Sequence, residues 1–124
     1  IDAICSDHYP QNIENKKCEF NIADFGMINL ETSFAVANTA LKTLADTALI
    51  VEKLTCKPRA ILGLDCPAIE EGNLADLTLF DPKLKWTFLE KYISSKSKNT
   101  PLLGRVFTGK AIAIVNNGQL SICN

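Results

Sequence analysis

The sequence predicts an α/β fold in two unlike parts, residues 1–64 and 65–124. Three observations carry that expectation. Ala3, Ile4 and Cys5 form a short apolar run that stops at Ser6, Asp7 and His8, the composition of a strand covered on both faces. Residues 30–44 place Leu30, Phe34, Ala37, Leu41 and Leu44 at three- and four-residue steps, the single apolar stripe of a helix. Near the end, Asn117-Gly118 divides two apolar segments, and a type I′ hairpin turn requires that pair.

The first part begins with a strand over residues 1–6, and Pro10 ends any ladder because it has no N–H to donate. Residues 11–24 are polar and weakly periodic, a long loop of the kind that is often functional. Phe25-Gly26-Met27 follows, and a glycine there permits positive φ and close backbone approach. The helix over 30–44 takes Asn29 as its N-cap and Glu31 in its first turn, where a negative charge suits the helix dipole. A second helix is expected over 47–54, capped by Asp46, with Leu49, Ile50 and Leu54 on its buried side. A third, short helix has Pro58 in its first turn and Gly63 just past its end.

The second part opens on turn composition at residues 65–72. A strand follows over 75–80, with Asp81-Pro82 expected to stop it. Residues 86–92 are aromatic-rich and fit a short strand or a helical turn, and residues 94–99 read as a solvated polar loop. Residues 111–115 and the segment carrying Leu120 and Ile122 form the closing hairpin.

Composition excludes several functions. The 124 residues are 47% hydrophobic and 22% charged, with a formal net charge of −1. That charge gives no electrostatic case for nucleic acid or an anionic membrane. No apolar run approaches the roughly 18 residues that span a bilayer. The five cysteines lack Cys-x-x-Cys spacing, so reduced thiols in a cytoplasmic protein are expected. The chain starts at Ile1, inside an expected strand, with neither an initiator methionine nor a leader, and so reads as a piece of a longer polypeptide.

The chemistry-bearing cluster is Ser6-Asp7-His8 at the strand end. A carboxylate there can bind a metal or move a proton; it can equally cap backbone groups. The only histidine is His8, so no second imidazole activates Ser6 or Ser33, and no glycine-rich phosphate loop is present. Scattered acids and one histidine do not make a metal site by spacing alone.

Six motifs in order resemble the C-terminal third of dihydroorotases of the amidohydrolase superfamily. They are Ser6-Asp7-His8-Tyr9-Pro10; Phe25-Gly26 leading to Asn29-Leu30-Glu31-Thr32; Pro58-Arg59-Ala60-Ile61-Leu62-Gly63-Leu64; Gly72-Asn73-Leu74-Ala75-Asp76-Leu77 with Phe80-Asp81-Pro82; Ser95-Lys96-Ser97-Lys98-Asn99-Thr100-Pro101; and Gly109 with Asn117-Gly118. Gly-x-x-Ala-Asp-Leu is shared by dihydropyrimidinases and hydantoinases, whereas Phe-Gly with Leu-Glu-Thr and Ser-Lys-x-x-Asn-Thr-Pro are specific to dihydroorotases.

The resemblance implies a metal-dependent (β/α)8 barrel, with residues 1–64 supplying its last strand and closing helices. Residues 65–124 then supply the C-terminal portion of a small β-sandwich domain. It implies one or two zinc ions and interconversion of N-carbamoyl-aspartate and dihydroorotate in pyrimidine biosynthesis. Asp7 matches the aspartate that contacts metal and shuttles the proton. Gln11, Phe25 and Gly26 match substrate-contacting positions.

Two positions depart from the family pattern, Tyr9 standing for alanine and Gln11 for a histidine that helps bind the substrate carboxylate. Leu102 also replaces an aromatic residue. The other metal ligands of the family lie upstream of Ile1, so this chain alone is expected to be inactive. A homo-oligomer, with aspartate transcarbamoylase as a further partner, completes the expectation. Beside it stand a related cyclic amidase and a non-catalytic scaffold of the same fold.

Overall fold

A computed structural model describes residues 1–123; Asn124, the last residue of the expected β part, lies outside the described residues. The elements in order are α1 (Ser33–Leu41), α2 (Thr47–Leu54), α3 (Cys56–Ile61), β1 (Leu77–Thr87), a 3-10 turn (Glu90–Tyr92), β2 (Val106–Asn116) and β3 (Gln119–Ile122). The strands form one antiparallel sheet in the order β1-β2-β3.

Where local chemistry dictates an element, the chain follows it. Asp46 caps α2 by accepting from the Leu49 N–H at 2.8 Å. Asn117 and Gly118 both take positive φ, 49° and 72°, as a tight turn between β2 and β3 requires. Pro58 falls in the first turn of α3, where its missing N–H costs no helical bond.

Five expectations need correction. Residues 1–6 form no strand: the Ile4 N–H reaches the Lys53 carbonyl (2.9 Å), and the described strand contact nearby is an isolated parallel bridge, His8 to Met27. A lone buried strand needs a paired neighbour on each edge, and the described residues offer none. The helix expected over 30–44 shortens to Ser33–Leu41, with Thr32 and not Asn29 at its N-cap. Leu49, expected on the buried side of α2, is exposed, while Ile50 is fully buried.

The strand expected to stop at Asp81-Pro82 instead runs on to Thr87 through an irregularity between Asp81 and Lys85. A bulge tolerates proline because its residues owe no ladder bond. Finally, the cysteines are not all free. The chain reverses after α3 (Leu64 N–H to Arg59 C=O, 2.8 Å), bringing the Cα atoms of Cys56 and Cys66 to 5.3 Å, and they form a disulfide. Cys5, Cys18 and Cys123 are free thiols.

The core sits between the segment leading into α1 and the stretch after β1. Ile28, Ala35, Phe88, Ile93, Leu102 and Phe107 form it, with Val36, Trp86 and Tyr92 packed against it. Leu102 fills a buried position here. Asn38, buried on α1, joins the helix to the sheet: its Nδ2 donates to the Pro82 carbonyl (3.0 Å) freed by the bulge and to Thr108 (2.8 Å). Buried polar groups require such partners.

Candidate functional site

The sequence-predicted site residues come from two segments, 6–11 and 25–31. The Tyr9 N–H donates to the Met27 carbonyl at 2.9 Å, and His8 bridges Met27. Asp7, Gln11, Phe25 and Gly26 therefore belong to one small assembly.

Asp7 lies exposed at its centre, with φ of 49°. Few non-glycine residues take that conformation; aspartate is among the more tolerant, and such residues gather at functional sites. Both neighbours of Asp7 are anchored. The Ser6 carbonyl accepts from Asn29 Nδ2 at 2.9 Å. The His8 Nδ1 accepts from the backbone N–H groups of Asn29 (3.1 Å) and Leu30 (3.0 Å). A ring that accepts at Nδ1 carries its proton on Nε2. His8 thus caps a backbone turn and fixes the loop beside the exposed Asp7.

Gly26 has φ of +115°, and a Cβ added there would lie 2.5 Å from the Tyr9 carbonyl oxygen and 2.6 Å from its ring. Glycine is required at this position by conformation and by space. Tyr9, expected from the sequence to depart from the family pattern, packs directly on the Gly26 backbone. Phe25 beside it is 90% exposed. Gln11 is half-buried, and its backbone carbonyl accepts from Ser97 Oγ at 2.9 Å, which leaves its side-chain amide uncommitted among the described residues.

Sequence reasoning gave no part in the site to several residues that hold this assembly together. Asn29 donates to Ser6 and accepts from Thr32 Oγ1 (2.7 Å). Glu31 Oε1 accepts from the Ser94 and Ser95 N–H groups, both at 3.1 Å, while its Oε2 is buried without a partner among the described residues. Asn99 Nδ2 donates to the Gly26 carbonyl (2.9 Å) and its own carbonyl accepts from Ile28 N–H (2.9 Å). The motifs Asn29-Leu30-Glu31-Thr32 and Ser95 to Pro101 signalled these residues, but spacing along the chain gives no hint that they meet.

The donor set does not by itself suit a metal. Among the described residues no group of three histidine, cysteine or carboxylate side chains could hold an ion. Asp7 alone offers one carboxylate, fewer than the three protein ligands of a catalytic zinc.

No family model matches the chain. It is 40% identical over 121 residues to a dihydroorotase of Geotalea daltonii, covering 97% of this chain and 28% of that protein. It is 41% identical over 122 residues to a dihydroorotase of Caldicellulosiruptor saccharolyticus, with the same coverage. Among solved structures, a D-hydantoinase (dihydropyrimidinase) from Thermus sp. matches with a TM-score of 0.83 at 22% identity, over 98% of this chain and 28% of that one. A D-hydantoinase from a Bacillus sp. matches at 0.82 and 18% identity, over 98% of this chain and 29% of its own. The backbone is thus that of a part of such hydantoinases. By sequence the chain is a homologue of the dihydroorotases along almost its whole length, spanning little more than a quarter of theirs.

Proposed function

We propose that this chain is the portion of a dihydroorotase-type cyclic amidohydrolase that carries its proton-shuttling carboxylate, Asp7. In this reading residues 1–64 supply the last strand and closing helices of a (β/α)8 barrel, and residues 65–124 complete a small β-sandwich domain. The observation that carries it is the presentation of Asp7: an exposed, left-handed aspartate, anchored through both chain neighbours.

The reaction interconverts N-carbamoyl-aspartate and dihydroorotate in the synthesis of pyrimidines. A carboxylate fixed beside the scissile amide accepts a proton from the attacking oxygen and returns it to the leaving nitrogen. Gln11 donates its amide N–H to the substrate carboxylate, and the backbone at Phe25 and Gly26 aligns the ring. A neutral donor at Gln11 makes a weaker bond than the charged imidazole it replaces.

The chain by itself does not suit a metal, so Asp7 contributes at most one oxygen to zinc whose remaining ligands lie outside residues 1–124. Such zinc, one ion or two, would lower the pKa of a bound water to about 7 and so supply hydroxide at neutral pH. The chain alone is therefore inactive, and the complete polypeptide works in the cytoplasm. A homo-oligomer, or a complex with aspartate transcarbamoylase, covers apolar side chains exposed here, such as Leu79, Leu120 and Ile122.

The test is turnover by the complete zinc-loaded polypeptide with and without Asp7→Asn. The substitution lowers kcat by about 10²–10⁴-fold. Robust turnover by the Asn variant would remove Asp7 from the mechanism. Tyr9 and Gln11 favour a second reading, a cyclic amidase of dihydropyrimidinase or hydantoinase type. Faster turnover of a hydantoin than of dihydroorotate would select it.

A further inference from the structure

The reaction as proposed makes no use of residues 94–99, yet this loop reaches both substrate-contacting segments. Asn99 meets the Gly26–Ile28 backbone as a neighbouring strand would, donating through Nδ2 to the Gly26 carbonyl (2.9 Å) and accepting at its own carbonyl from Ile28 N–H (2.9 Å). Ser97 Oγ donates to the Gln11 carbonyl (2.9 Å) and accepts from Asn99 N–H (3.3 Å), linking Gln11 to the residue that holds Gly26. The loop is itself anchored. Glu31 Oε1 accepts from Ser94 and Ser95, Lys98 Nζ donates to the Ile93 carbonyl (2.9 Å), and Ile93 and Leu102 on either side are buried in the core.

We infer that Ser97 and Asn99 are positioning residues that hold the backbone of Gln11 and Gly26 in the geometry that receives substrate. This rests on the reading that Gln11 and Gly26 contact substrate. Glycine is the residue least restrained by its own sterics, and Gly26 sits at positive φ. A peptide unit is planar, so fixing the Gly26 carbonyl also fixes the direction of the Met27 N–H. Without a donor at position 99 that peptide is free to rotate. With it, the loop is ordered before substrate arrives, and no binding energy goes into ordering it. Ser97 does the same for the main chain from which the Gln11 side chain extends.

The experiment uses the complete polypeptide and compares wild type with Asn99→Leu, Ser97→Ala and Ser97→Thr. Leucine keeps the volume and loses the donor; threonine keeps the hydroxyl. Asn99→Leu and Ser97→Ala each raise KM by about three- to tenfold, the equivalent of one hydrogen bond, with kcat little changed. Ser97→Thr restores the wild-type KM. Deuterium uptake rises in peptides covering residues 6–11 and 25–31 and stays unchanged over β2.

Unchanged KM, whatever happens to thermal stability, would overturn the inference by reducing both residues to structural supports. So would uptake that rises equally over β2. If the wild type turns over no cyclic amide, the proposed activity fails by itself; the deuterium pattern then decides alone whether Ser97 and Asn99 order the two segments.

Discussion

Residues 25–38 and residues 61–79 both carry many large apolar side chains, and only the first stretch contributes to the buried core. The first stretch buries Ile28, Thr32, Ala35, Ala37 and Asn38. Every residue of the second is exposed, including Ile61, Leu62, Leu64, Ile69, Leu74 and Leu79. The polar side chains make the difference. In the first stretch Asn29, Glu31 and Asn38 bond backbone groups at least 23 positions away in sequence, which draws distant segments over the apolar residues. The second stretch is tied by the Cys56–Cys66 disulfide and by exposed contacts of Arg59 with the Asp65 carbonyl (3.3 Å) and the Asp76 carboxylate (3.1 Å). Exposed ion pairs of this kind contribute about 0–1 kcal/mol, too little to organise a core. Apolar content makes a core only where something holds two layers together.

This contrast can be broken by mutation. Phe88 is 1% exposed and packs against Ile28 and Ala35, so Phe88→Ala should cost about 3–5 kcal/mol in urea unfolding of this chain. Ile69 is 86% exposed, so Ile69→Ala should change the same unfolding free energy by less than about 0.5 kcal/mol. Comparable losses at the two positions would mean that residues 61–79 are packed in solution and that the contrast is wrong.

The elements legible in the sequence are those decided by neighbours along the chain. The Asp46 cap, the Asn117-Gly118 turn and the start and end of α3 each depend on a few adjacent residues, and the structure has them as expected. What could not be read depends on remote partners. β1 continues past Asp81-Pro82 because β2 resumes pairing at Lys85, and because Asn38, 44 positions away, takes up the Pro82 carbonyl. Residues 1–6 have the composition of a strand, but composition does not supply a neighbour to pair with. Cys56 and Cys66 lack motif spacing and meet only because the chain reverses after α3.

The candidate site divides in the same way. Asp7 and Gly26 stand out in the sequence by type and context, and both adopt positive φ. The groups that hold them do not stand out, since the Asn99 bond to Gly26 spans 73 positions. Tyr9 and Gln11 attract notice as departures from the family pattern. In the structure Tyr9 lies on the Gly26 backbone, and Gln11 is held by its main chain with its amide uncommitted among the described residues.

The central claim is that segments 6–11, 25–31 and 94–99 form one hydrogen-bonded unit presenting Asp7. Residue-resolved amide hydrogen exchange on this chain tests it most directly. The account predicts that the Tyr9 and Ile28 amides, which donate to Met27 and Asn99, are protected as strongly as those of the β1–β2 ladder. Gly72 and Leu74 should exchange near the rate of unfolded chain. Exchange at Tyr9 and Ile28 as fast as at Gly72 would contradict the claim.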